Sequence, residues 1–81
     1  MEPISAFVEH CCLMARNART AVIDLYLAYV LWCLDEGIPV QDQFTFLDAL
    51  RCIGLKLRHR KHAMWFRGIT ILPAYRASTP I

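Results

Sequence analysis

Apolar residues recur at helical spacing through the first two thirds of the 81-residue chain and at strand spacing after it. The first periodic segment runs from about Ile4 to Met14, with Ala6, Phe7, His10, Cys11 and Met14 on one stripe and Pro3 suited to the first turn. Residues 15–20 (ARNART) are polar and predict a short connection. A second helix is predicted from about Ala21 to Glu36, where Leu25, Tyr29 and Trp32 fall at i, i+4 and i+7. Val22, Tyr26, Ala28 and Cys33 widen its stripe, Gly37 ends it and Pro39 keeps it ended. Its far side carries Leu27, Val30, Leu31 and Leu34 in place of charges. A helix apolar all round needs cover on more than one side.

Gln41-Asp42 opens a third helix that reaches about Ile53 and closes on Gly54. Phe46, Leu50 and Ile53 form its inward stripe, and Gln41, Phe44, Thr45, Asp48, Arg51 and Cys52 its outward face. The period then drops to two. Leu55 to Arg60 alternates apolar and basic, Lys61-His62-Ala63 turns the chain, and Met64 to Leu72 returns as a second strand. Residues 73–81 hold two prolines and no period, which predicts a flexible tail behind one domain of residues 1–72.

Charge changes this picture more than composition does. The net charge is only +2, but residues 1–50 hold two basic side chains against seven acidic ones, whereas residues 51–81 hold seven basic ones and no acid. The basic end calls for an anionic partner or for solvation. An apolar fraction of 57% excludes a disordered chain. The longest apolar run, Val22 to Leu34, is interrupted by Asp24 and is shorter than the ~20 residues of a membrane span. The N-terminus is acidic and lacks the basic start of a signal peptide. Cys11, Cys12, Cys33 and Cys52 follow neither a disulfide framework nor zinc spacing, so reduced thiols in a cytoplasmic setting are expected, with no metal. No nucleophile–base pair or cofactor motif is readable, so a non-enzymatic protein without cofactor is expected.

Three helices followed by a basic hairpin match the layout of a winged helix-turn-helix, a mainly α fold with a small β-hairpin. More specifically, four patterns resemble the C-terminal winged-helix domain of poxvirus-type and phage or plasmid primase-helicases. They are Leu25-Tyr26-x-x-Tyr29-x-x-Trp32-Cys33, the following Gly37, Phe46-x-x-x-Leu50-x-x-x-Gly54 and Trp65-x-x-Gly68-Ile69-x-x-Leu72. The resemblance covers residues 5–72 and implies a nucleic-acid-binding module. The ATPase that precedes this domain in that family has no counterpart here, because no GxxxxGK[ST] loop occurs. The starting Met and untidy tail point to a small complete protein from a plasmid or phage, with a replication or transcription-regulation role.

Two functional expectations follow. The first is DNA binding as a dimer, duplex rather than single-stranded, with Arg58, Arg60, Lys61, His62 and Arg67 on phosphates and Gln41, Thr45 and Arg51 near base edges. Asp48 in the middle of helix three repels phosphates, so the hairpin should dominate and sequence specificity should be weak. Either Trp65 or Phe66 must point outward and offer a stacking face. The second is protein interaction through Leu27, Val30, Leu31, Leu34 and Phe44, as a homodimer or as an adaptor or inhibitor of another protein, unless helix one covers the leucines.

Overall fold

Three helices and three strands make up residues 3–72, the part of the chain that the computed structural model describes. In order they are α1 (Pro3–Cys11), β1 (Cys12–Ala21), α2 (Val22–Glu36), α3 (Gln43–Ile53), β2 (Lys56–Arg60) and β3 (Ala63–Ile71). The expected tail, 73–81, lies outside the described residues. The strands form one antiparallel sheet in the order β1-β3-β2. The three expected helices and the closing hairpin β2–β3 are present, and a third strand, β1, enlarges the expected small hairpin into a three-stranded sheet.

Strand β1 is the main correction. Helix α1 stops at Cys11 rather than Met14, and residues 15–20 lie within β1, which pairs with β3 on either side of them through Cys12–Met14 and Arg19–Ala21, rather than connecting two helices. The cause is non-local: β1 finds its hydrogen-bonding partner some 50 residues away, and its own alternation is broken. Cα pairing runs from Cys12↔Ile71 to Met14↔Ile69, then resumes at Arg19↔Arg67. Five steps along β1 match two along β3, so β1 carries a three-residue bulge. Opposite it, Gly68 adopts φ 98°, a region open to glycine and strained for other residues. The Thr20 hydroxyl donates to the Ile69 carbonyl at 2.7 Å and pins the two strands beside the bulge.

The helices cover one face of the sheet. Ile4, Phe7, Val8 and Cys11 of α1 are buried against Leu25, Tyr29 and Cys33 of α2, with Phe46 and Leu50 of α3. His10 and Met14, expected on the α1 stripe, are exposed, as is Ile53 at the end of α3. From the sheet, Phe66, Ile69 and Ile71 complete the core. Aromatic rings fill its centre: Tyr29 stacks on Phe46 with centroids 4.8 Å apart, and Phe7 meets Tyr29 edge-on at 5.6 Å.

The same tyrosines fix the turn between α2 and α3. Gly37 caps α2 in the left-handed region, and the backbone of Gln41 is then held on both sides. The Tyr26 hydroxyl donates to its carbonyl at 2.8 Å, and its N–H donates to the Tyr29 hydroxyl at 3.0 Å. Burial pushes the Tyr29 hydroxyl above its usual acidity range.

Candidate nucleic-acid interface

The three strands contain no acidic residue, although they carry Arg16, Arg19, Lys56, Arg58, Arg60 and Arg67. Within residues 3–72 every acid sits on a helix or at a helix cap. The charge asymmetry read along the chain is therefore an asymmetry in space, with acidic helices behind a basic sheet. Folding moves Arg16 and Arg19 from the acidic half of the sequence to this basic side.

Strand alternation decides which side chains face outward. In β3, Phe66 is buried in the core, so Trp65 and Arg67 on either side of it take the opposite face. Cα pairing sets Arg19 opposite Arg67 and Arg67 opposite Lys56, one cation on each of three adjacent strands. The next outward row is Ala21, Trp65 and Arg58. Directly opposed like charges weaken a sheet, and an anion lying across them reverses that effect.

Asn17, Ala18, Arg19, Arg58, Trp65 and Arg67 line an open depression of about 550 Å³ on this face. Trp65 is half-buried in it, and the Arg19 guanidinium lies 5.8 Å from the indole centroid, within cation–π range. A second shallow depression of about 430 Å³ is lined by Arg51, Leu55, Lys56, Leu57 and Arg58. Because Arg58 borders both, a continuous basic track runs from the end of α3 across the sheet.

The residues expected to bind DNA divide into three groups. Arg51, Arg58 and Arg67 lie on the track. Arg60, Lys61 and His62 are exposed at the hairpin end, where Lys61 takes φ 56° to close the turn. Gln41 and Thr45 stand apart at the start of α3. The Thr45 hydroxyl donates to the Asp42 carboxylate, and this bond holds that carboxyl below its usual range. Thr45 borders a groove with Ser5, Asp48, Ala49, Cys52 and Ile53 between α1 and α3, where Asp48 disfavours a phosphate. Sequence reasoning missed Arg19, Lys56 and Asn17. The alternation around Lys56 was a usable signal, whereas nothing local marked Arg19 as a strand residue.

The thiols offer little chemistry. Burial pushes Cys11 up to about 11, with Glu36 adding to the shift, and pushes Cys12 up to about 12, with Cys11 adding to it. Cys33 is buried and Cys52 exposed. A disulfide-exchange reagent is expected to label Cys52 rapidly in the folded protein and the other three only on unfolding, as counted by mass spectrometry. The raised values also fix a sign. Their stabilising contribution is complete below the ordinary thiol value of 9.0 and is lost as pH rises towards 11–12.

Among the described residues no three His, Cys, Asp or Glu side chains group as metal ligands, and no helix is long and apolar enough to cross a membrane. In comparisons with known proteins, no family model and no curated protein matches the chain.

Proposed function

We propose that the chain is a winged-helix DNA-binding protein without catalytic activity, holding the phosphate backbone on the outer face of its sheet. The element order helix-strand-helix-helix-strand-strand and the sheet order β1-β3-β2 support the winged-helix reading. One observation carries the function: an acid-free sheet presents Arg19, Arg67 and Lys56 in a single cross-strand row. A role in plasmid or phage replication or in transcription regulation is part of the same proposal. Emphasis shifts from the hairpin tip to the whole sheet, with Arg60, Lys61 and His62 as an extension of the track. Phosphate contacts carry no base code, so weak sequence preference follows. A salt titration against blunt duplex DNA tests this reading. With about five phosphates engaged, affinity should fall several hundred-fold between 50 and 200 mM salt, and a flat response would refute it.

A second reading, protein interaction, is favoured by the outer side of α2. Ile23 is 73% and Leu34 68% exposed, with Leu27 and Leu31 about half exposed between them, so α1 leaves them open. Val30, expected in this patch, instead packs against the core. Phe44 is exposed on α3. At 100° per residue, Asp24 and Asp35 follow one edge of the stripe, and α2 has no basic residue. A two-fold antiparallel pairing sets Asp24 of one copy beside Asp35 of the other, so a partner helix with a basic edge fits better than a second copy. Light scattering at micromolar concentration should return a monomer. A dimer that Leu27→Glu dissolves would identify self-association.

A further inference from the structure

We propose that the depression around Trp65 is a subsite for one unpaired nucleobase, stacked on the indole, with its flanking phosphates on the neighbouring arginines. The proposal rests on the nucleic-acid reading above and names a second part of the ligand that the sheet contacts.

The core does not use Trp65. Its neighbour Phe66 is fully buried among the helices, while Trp65 projects from the other face, where no element of the described chain covers it completely. Phosphate binding alone needs no aromatic ring. A planar indole bordered by cations is instead the combination that holds single-stranded nucleic acid, because every base has a face to stack and every nucleotide a charge to neutralise.

The geometry supplies the remaining parts. Trp65 and Arg67 are two residues apart on one strand, about 6.7 Å. A base on the indole therefore has the Arg19–Arg67–Lys56 row on one side and Arg58 directly across from it. The three-residue bulge in β1 brings Asn17 and Ala18 to the depression, and the Asn17 amide offers both a donor and an acceptor to a base edge. The Arg19 guanidinium already lies over the indole on a flexible stem, and such a plane stacks on bases as well as on tryptophan. A volume of about 550 Å³ is ample for one nucleotide. In a duplex the bases are stacked on one another, so only an unpaired base presents its face.

The test compares three 12-mers at low salt: single-stranded oligothymidine, an abasic strand of equal charge, and a blunt duplex. Tryptophan emission and affinity are read for the wild-type protein, Trp65→Ala and Trp65→Phe. Oligothymidine should quench emission and bind more tightly than the abasic strand. Trp65→Ala should weaken oligothymidine by about 5- to 150-fold and the abasic strand by less than about twofold. Trp65→Phe, which keeps an aromatic face, should recover most of the loss, and thermal melting verifies that each variant is folded. Equal affinity for the abasic strand and oligothymidine overturns the base subsite, even where the duplex binds with a steep salt slope. Equal weakening of all three ligands by Trp65→Ala also overturns it, by reducing Trp65 to a support for Arg19. No binding of any strand overturns both this subsite and the nucleic-acid reading beneath it.

Discussion

Phe46→Ala should bring the domain close to unfolding at 25 °C. Phe46 is completely buried, with Tyr29 stacked at 4.8 Å, Tyr26 edge-on at 5.4 Å and Phe7 at 6.1 Å. Truncating a phenylalanine in such a site costs about 3–5 kcal/mol, because the surrounding rings close only part of the cavity. A chain of this length has about 4–12 kcal/mol in total. The loss extends past packing, since Tyr29 and Tyr26 also hold the Gln41 backbone and thereby the start of α3. In urea the midpoint should fall by about 2–3 M if the slope is near 1.5 kcal/mol/M. Phe44→Ala is the matched control. Phe44 lies two residues away on the same helix but is 83% exposed, so its change should stay within about 0.5 kcal/mol. A Phe46→Ala cost below 1 kcal/mol would mean that the aromatic cluster does not organise the core.

The contrast between those two phenylalanines was legible in the sequence, because helical period alone separates position 44 from 46 and 50. Leu25, Tyr29 and Cys33 were legible for the same reason, as were the glycines that end α2 and α3. Period fails where a partner is distant. Residues 12–21 have no alternation of their own, since the bulge between Met14 and Arg19 breaks it and only β3 supplies the pairing. That single miss concealed part of the candidate site, because Asn17, Ala18 and Arg19 belong to β1. The choice between Trp65 and Phe66 was open for a related reason: alternation states that one faces out, and the helices packed on the sheet decide which. The second stripe of leucines on α2 was legible from helical period, but whether α1 covered it depended on where α1 ends and how it crosses α2.

Exchanging Arg19, Lys56 and Arg67 together for glutamine should nearly abolish duplex binding while leaving the fold as stable as before, or more so. The two effects have one origin. The three cations are direct cross-strand neighbours, so their mutual repulsion weakens the free protein and their summed field attracts the phosphates. Each lost phosphate contact lowers the slope of log affinity against log salt by about 0.9. At 0.1 M salt that is close to one decade per contact, so the triple variant should bind about 500-fold more weakly, with a slope shallower by about 3. Its melting temperature should hold or rise, and the rise should shrink as salt screens the wild-type repulsion. The hairpin-end variant with Arg58, Arg60 and Lys61 exchanged removes the same charge but leaves the Arg19–Arg67–Lys56 row intact. A smaller loss there places the centre of binding on the sheet face. A larger loss would return it to the hairpin, as the sequence alone suggested. A triple variant that keeps its affinity and slope would show that the row of cations is solvated and that the chain's anionic partner lies elsewhere.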